Sequence, residues 1–398
     1  MILTFKYRLL PTRAQHRALA DICEAQRQLY NAALEERIDY YRKMGRGRTY
    51  IDQCKAVTEW RQSDADAAIT PLNIQRWTLK RLDDAYKAFF HRLKARNGKA
   101  GFPRFRGRGR WDSFGFAEFS GIRFDGKRLR FKGFPGGLRV YLHRPLPLDV
   151  DIHSCLFRRD NKGWAICFQV AVETPDKRAV NTSVGIDLGL KTFAYQSDGI
   201  VIPNPRVARR AEKEMRRKQR ALARCKRGSE RRQKVKRDLT RLHAKIVNTR
   251  TTWLHQQSAR IAKSYDLIAA EDLNVKNMIR HPTLARSIAD ASWSKFLAMV
   301  SYKAERAGAH FVTVDPRNTS QRCSGCGDLV PKSLAVRTHS CPSCGLVIDR
   351  DWNASLNILA AVLGGGAGNV AHQGERRLGN IALVQSETVP GCRRKRNE

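Results

Sequence analysis

The sequence predicts a multidomain α/β protein, and three observations predict it. Residues 2–10 and 121–172 are rich in strand patterns while 12–94 carry two long amphipathic ones, so a β domain holds a helical insertion. Beyond residue 183, apolar strands alternate with helix-like runs, the pattern of a sheet covered by helices. Two Cys-x-x-Cys pairs, Cys323/Cys326 and Cys341/Cys344, interrupt that alternation.

Taken in order, residues 2–10 read as a strand ended by Pro11. Thr12 and Gln15 form a capping-box signature for a helix to about Tyr41, with Leu19, Ile22, Cys23, Leu29, Ala33 and Ile38 on one face. Tyr30 and Tyr41 are read as packing residues of that helix. Gly45, Gly47 and the polar run at 63–68 read as loops, and a second amphipathic helix spans about 72–94. The segment 98–116, GKAGFPRFRGRGRWDSFGF, interleaves arginine with Phe and Trp on a glycine-rich backbone. Arginines suit phosphate and exposed rings suit stacking on unpaired bases; aromatics facing a core with arginines facing water is the competing reading.

Asp125-Gly126 and the run 160–163 read as hairpin turns within the strand-rich region, which with the first strand suggests a small antiparallel barrel. Residues 173–183 read as a linker. After it come an apolar strand with Asp187 embedded in it, a second strand, and a basic stretch at 206–250 consistent with two long helices breaking near Gly228. A strand at 265–273 ends in Glu271-Asp272, a helix spans 292–306, and a strand covers 310–315.

The charge is one-sided. The 398 residues include 75 Lys and Arg against 37 Asp and Glu, a formal net charge of +38. So large an excess strains the compact state unless a polyanion neutralises it, and nucleic acid is the natural candidate because every contacted phosphate releases a counterion. No uninterrupted apolar run reaches the roughly 18 residues of a spanning helix, and residues 1–12 lack a signal peptide's apolar core. Ten cysteines, four paired and six scattered, fit a reducing compartment rather than a disulfide scaffold.

Two Cys-x-x-Cys turns, each followed by glycine (Gly327 and Gly345), supply four thiolates for a tetrahedral zinc. His339 is a possible substitute ligand, though four thiolates already fill the shell, which makes the zinc structural rather than catalytic. Asp187 interrupts a strand that could have been wholly apolar, and a lone buried carboxylate costs several kcal/mol unless it coordinates something. Glu271 closes another apolar strand and Asp351 opens a helix. Three carboxylates meeting at the ends of neighbouring elements could hold two Mg²⁺ about 4 Å apart, an arrangement that hydrolyses phosphodiesters. A helix cap or a surface charge is the competing reading of each, and for Asp351 the competitor is an N-cap.

The motifs GIDLGLKTFA, EDLNVKNM, TSQRCSGCG, CPSCG and DRDWNASLNIL, in this order, resemble the TnpB (OrfB) family encoded by bacterial and archaeal insertion sequences and related to the type V CRISPR effectors. YRLLPTRAQ, the Leu29-Tyr30-Asn31 helix and GFPRFR are weaker echoes of the same family. The resemblance implies a RuvC-like (RNase H-type) nuclease domain at 176–322 and 345–363 with an inserted zinc ribbon at 323–344. It implies an N-terminal β-barrel (wedge) domain at 1–11 and 98–175 carrying a helical recognition insertion at 12–97, with 364–398 as a flexible basic tail. The acidic triad maps onto Asp187, Glu271 and Asp351, with Asp272 and Asp349 as neighbours in competition. The implied activity is RNA-guided cleavage of DNA beside a short adjacent motif, using two Mg²⁺ ions and a structural Zn²⁺. The implied partners are a guide RNA and double-stranded target DNA, one protein per RNA, in a bacterial or archaeal cytoplasm, with no membrane and no small-molecule cofactor. A binding-only accessory or repressor, a compact type V effector and a strand-transferring transposase are the alternatives, because one fold supports several chemistries.

Overall fold

The computed structural model describes residues 1–95, 100–146, 151–160, 162–333 and 335–364. The expected basic tail, Gly364 apart, lies outside these residues, as does Asn161 of the second hairpin turn. The chain divides into two compact units, Met1–Glu173 and Thr174–Glu398.

In the first unit β1 (Ile2–Leu10) ends at Pro11, which has no amide to extend a ladder. The capping box then starts α1 (Arg13–Met44): the Gln15 amide donates to Thr12 Oγ1 at 3.3 Å, and the Thr12 amide to Gln15 Oε1 at 3.1 Å. Next come α2 (Tyr50–Ser63), α3 (Ala65–Ile69) and α4 (Leu72–Lys94). The short α3 corrects the loop expected at 63–68. Asp64 Oδ1 accepts the amides of Asp66 at 2.9 Å and Ala67 at 3.2 Å, enough to set a single turn. Tyr41 is also corrected: Tyr30 is buried, but Tyr41 is 61% exposed. It sits in the last turn of α1, beyond Arg37, the final buried residue of that helix. Arg37 itself ties three helices together, donating to Gln53 of α2 at 2.8 Å and pairing with Asp83 of α4 at 3.4 Å.

The remaining elements of this unit are β2 (Ser113–Phe116), β3 (Ile122–Phe124), β4 (Arg128–Phe131), β5 (Leu138–Tyr141), β6 (Ile152–Asp160) and β7 (Gly163–Ala171). They join β1 in one antiparallel sheet ordered β2-β6-β7-β1-β5-β4-β3. The helices thus enter between β1 and β2, as the sequence predicts. Asp125 Oδ1 accepts the amides of Lys127 at 2.9 Å and Arg128 at 2.6 Å, closing the β3–β4 hairpin. Phe114 and Phe157 stack at 4.7 Å inside the unit, each worth about 1.5–3 kcal/mol on burial.

The second unit begins with β8 (Ser183–Leu188), β9 (Thr192–Gln196) and β10 (Val201–Pro203). Helices α5 (Val207–Arg210), α6 (Glu212–Arg224) and α7 (Glu230–Ser264) follow. The break between α6 and α7 falls at Gly228, whose φ of 86° suits glycine, and Ser229 then caps α7 by accepting the Arg232 amide at 3.2 Å. Then come β11 (Leu267–Glu271), α8 (Val275–Met278), α9 (Ala285–Ala291), α10 (Trp293–Arg306) and β12 (His310–Val314). A two-stranded ribbon, β13 (Thr338–Ser340) and β14 (Val347–Asp349), leads into α11 (Arg350–Leu363). The main sheet is ordered β10-β9-β8-β11-β12, with β8, β11 and β12 parallel and β9 and β10 antiparallel. Among the described residues, no helix is long and apolar enough to cross a membrane.

Helix α11 lies directly on β8, and one residue permits it. A Cβ on Gly185 would fall 2.1 Å from the Ser355 carbonyl oxygen and 2.8 Å from the Leu359 amide nitrogen. Ser197 brackets the same residue, its Oγ accepting the Gly185 amide at 3.0 Å and its amide donating to the Gly185 carbonyl at 2.9 Å. The Ser197 carbonyl in turn accepts the indole of Trp352 on α11 at 3.1 Å.

Candidate functional site

Strands β8 and β11 run parallel in a register that pairs Ala270 with Ile186. One residue further, Glu271 comes level with Asp187 on the neighbouring strand, about 4.8 Å away at the backbone. Asp351 arrives from α11, which packs over both strands. The three carboxylates lie close enough to act on one another. Burial first, and then the charges of Glu271 and Asp351, hold the Asp187 carboxyl well above the usual carboxylate range. Glu271 is 9% exposed, and burial raises its pKa too, opposed by a hydrogen bond from Thr319 Oγ1 at 2.6 Å.

The two competing aspartates have other surroundings. Asp349 is the N-cap of α11, its Oδ1 accepting the amides of Asp351 at 2.8 Å and Trp352 at 3.3 Å. Asp351 therefore stands in the first turn rather than at the cap. Asp272 is exposed, beyond the end of β11. Asp351 Oδ1 accepts from Arg350 Nη2 at 2.9 Å and Nε at 3.1 Å, and Oδ2 from Arg337 Nη1 at 3.4 Å. Tyr195, opposite Asp187 on β9, has its pKa raised by burial and by the charges of Asp349 and Asp351.

The four cysteines form a tighter cluster. All four sulfurs lie within 4.8 Å of one another, with Cys323 Sγ to Cys344 Sγ at 3.6 Å and Cys326 Sγ to Cys341 Sγ at 3.5 Å. Zinc–sulfur bonds of about 2.3 Å in a tetrahedron require sulfur separations of about 3.8 Å, so this donor set fits Zn²⁺. His339 is outside the cluster; its Nδ1 contacts Lys332 Nζ. The three carboxylates do not close to the same spacing among the described residues. Their all-oxygen donor set and the crowding felt by Asp187 fit a hard divalent cation, which would relieve the repulsion.

The cysteine variant Cys323→Ser with Cys326→Ser is expected to lose its bound zinc by metal analysis, with faster proteolysis across 315–350. Retained zinc would mean that other residues bind it.

Several residues at this site were not singled out from sequence. Thr319, Arg337 and Arg350 touch the carboxylates, Asn353 touches the knuckle at Ser324, and Asn357 holds the carbonyls of Thr319 and Arg322. Asn353 and Asn357 stand four apart on α11 and so share a face, a spacing that was there to be noticed. Asn353 Oδ1 accepts the Ser324 amide at 2.9 Å and its Nδ2 donates to the Arg322 carbonyl at 2.7 Å.

The arginine–aromatic segment of the first unit splits in two by burial. Trp111, Phe114 and Phe116 are buried, whereas Phe102 and Phe105 are 45% and 55% exposed. The exposed half is held from α1: Asn31 accepts the Arg106 amide at 2.8 Å and donates to its carbonyl at 3.0 Å, joined by Arg27 Nη1 at 2.9 Å. The loop is thereby fixed with Phe105 presented to solvent, while Phe102 packs edge-on against Tyr86 at 5.5 Å and Phe89 at 5.2 Å. In the second unit α6 buries no residue along its length.

Three family descriptions match the chain: "Helix-turn-helix domain" of the OrfB type at 1–46, "Probable transposase" of the OrfB type at 165–281, and "Cas12f1-like, TNB domain" at 293–358. Residues 1–46 fold here as β1 and the single helix α1. A Streptomyces pristinaespiralis protein named "Putative RNA-guided DNA endonuclease" is 32% identical over 371 residues, covering 91% of this chain and 90% of that protein. An Escherichia coli (strain K12) protein, "Putative RNA-guided DNA endonuclease InsQ", is 29% identical over 377 residues, covering 90% and 91%. The fold is similar to that of Cas12f1 solved with single-guide RNA and target DNA. The TM-score is 0.57 at 15% identity, covering 87% of this chain and 83% of that one.

Proposed function

The chain belongs to the OrfB (TnpB) family, and from that premise we propose that it is an RNA-guided DNA endonuclease of an insertion sequence, cutting target DNA beside a short adjacent motif. The observation that carries the proposal is the meeting of Asp187, Glu271 and Asp351, from β8, β11 and α11, in a site where Asp187 is pushed well above the usual carboxylate range. A binding-only protein has no use for three carboxylates that repel one another at a cost to the fold.

The mixed sheet, with β8 central between an antiparallel hairpin and two parallel strands, supports a RuvC-like, RNase H-type nuclease domain. The ribbon between β12 and α11 supports an inserted zinc ribbon whose zinc braces the approach to Asp351. The antiparallel sheet of the first unit supports the wedge assignment, with closure into a barrel part of the proposal, and α1 to α4 supply the recognition insertion.

Asp187, Glu271 and Asp351 would hold the catalytic Mg²⁺. When bound, the two ions supply a Lewis acid for the scissile phosphate and lower the pKa of the attacking water. The chain's own residues do the positioning. The sheet register fixes Asp187 and Glu271 side by side, and Asp349 starts α11 so that Asp351 faces them. Arg350 and Arg337 pair with Asp351 and orient its carboxylate. Guide RNA and target DNA would be held chiefly through backbone phosphates, which explains a net charge of +38 in a protein that delegates sequence reading to base pairing. Phe105 would stack on unpaired bases.

The test is to sequence the RNA that copurifies with the protein and challenge the complex with a DNA duplex matching it, flanked by randomised sequence. Cutting of the matched duplex that requires a divalent cation is expected. A complex that binds the match in Mg²⁺ and never cuts would favour the accessory reading, and joining of DNA ends without RNA would favour a transposase.

A further inference from the structure

Between β12 and the first knuckle the chain makes a tight turn that does more than connect. Asn318 adopts a positive φ of 63°, a conformation asparagine tolerates better than most residues. Its carbonyl accepts the amides of Gln321 at 3.0 Å and Arg322 at 2.8 Å. Thr319 follows, half-buried, with its hydroxyl 2.6 Å from Glu271 Oε1. The Thr319 carbonyl accepts from Asn357 Nδ2 at 2.8 Å, and the same amide donates to the Arg322 carbonyl at 2.6 Å. Asn357 is on α11, the helix that carries Asp351.

We propose that Thr319 is a positioning residue that fixes the Glu271 carboxylate for cation binding, and that Asn357 fixes Thr319, so one side-chain bridge sets Glu271 relative to Asp351. The proposal rests on the reading of Glu271 as a cation ligand. Its physical basis is direct. Glu271 ends its strand with a flexible side chain that repulsion from Asp187 would otherwise drive away. A charge-assisted hydrogen bond from a hydroxyl is strong enough to hold one rotamer. The Pro316 carbonyl, 3.1 Å from Thr319 Oγ1, is a second acceptor for the same proton, and the Glu271 contact at 2.6 Å is the shorter of the two. Asn357 and Asn353 both end on the Arg322 carbonyl, one residue before Cys323, so the bridge is anchored to the zinc knuckle as well as to α11.

The experiment uses the guide-loaded protein carrying Thr319→Val, which keeps the shape and removes the donor, beside Thr319→Ser, which restores it. Three quantities are read: the Mg²⁺ concentration for half-maximal cutting, Mn²⁺ binding by electron paramagnetic resonance, and zinc content. Thr319→Val is expected to raise the Mg²⁺ concentration for half-maximal cutting and weaken Mn²⁺ binding by about 10-fold or more, and Thr319→Ser by no more than about twofold, the scale on which outer-shell partners tune metal sites. Target binding and zinc content should stay at the wild-type level. Wild-type cation dependence in Thr319→Val overturns the bridge. If Thr319→Val loses zinc, Asn357→Ala with its zinc retained decides: weakened Mn²⁺ binding supports the bridge and wild-type Mn²⁺ binding overturns it. Glu271→Gln separates the two levels. If Glu271→Gln cuts normally, the reading of the site fails; if it is inactive while Thr319→Val behaves as wild type, only the bridge fails.

Discussion

Replacing Asp187 with Ala is expected to abolish cutting, by at least about 1,000-fold, the scale of removing a principal transition-state contact, while target binding survives. A second readout accompanies the first. Because the folded-state pKa of Asp187 lies above its unfolded value, the unfolded chain releases that proton first, and ionisation favours unfolding. Stability is therefore lost as pH rises from the unfolded pKa through the raised folded one, and the cation-free protein bears that cost. Removing the carboxyl removes the cost. The cation-free variant should melt no lower than wild type at pH 7, and it should gain less from added Mg²⁺, which stabilises a protein only by binding its folded form. Persistent cutting would sink the assignment of Asp187. A variant that binds Mg²⁺ as the wild type does would sink the electrostatic account of the site.

The second large effect is expected from the smallest substitution. Gly185→Ala places a methyl group where the Ser355 carbonyl oxygen stands 2.1 Å away. That neighbour is helix backbone, not the end of a flexible side chain, so α11 must move. Overpacking of this kind costs about 1–3 kcal/mol in stability. The larger consequence is for the site, because Asp351 rides on α11 and a shift of about 1 Å in a positioned group can cost about 100-fold in rate. The expected variant keeps its zinc, its RNA and its target affinity but cuts about 100-fold more slowly. Thermal unfolding and single-turnover cleavage measure the two parts separately, and a wild-type cutting rate would mean that α11 does not set the geometry of Asp351.

Much of the fold was legible because its signals are local. Thr12 and Gln15, Asp125-Gly126 and Gly228 each act within four residues or so, and the structure has a capped helix, a hairpin and a helix break at those places. The spacing of the four cysteines is equally local, since a Cys-x-x-Cys turn carries its geometry with it. The misreadings were local competitions decided by small terms. Asp64 made a helical turn in a polar run, and Tyr41 sat one turn too far along α1 to reach the core. The arginine–aromatic segment could not be divided from its composition. Which rings are buried depends on β2 pairing with β6, some forty residues away, and on Asn31 holding the Arg106 backbone.

The carboxylates show the same boundary at the candidate site. Which acidic residues interrupt or end apolar runs is legible along the chain, and family motifs select Asp187, Glu271 and Asp351 among them. That Asp349 and not Asp351 is the cap follows from where β14, paired with β13 across the ribbon, ends and α11 begins. Only the tertiary structure brought Asp187 level with Glu271, because parallel strands joined through long helices carry no local register signal. The bridge from Glu271 through Thr319 to Asn357 belongs to the same class. Each of its hydrogen bonds joins residues far apart in the chain, and threonine and asparagine are too common for composition to mark them.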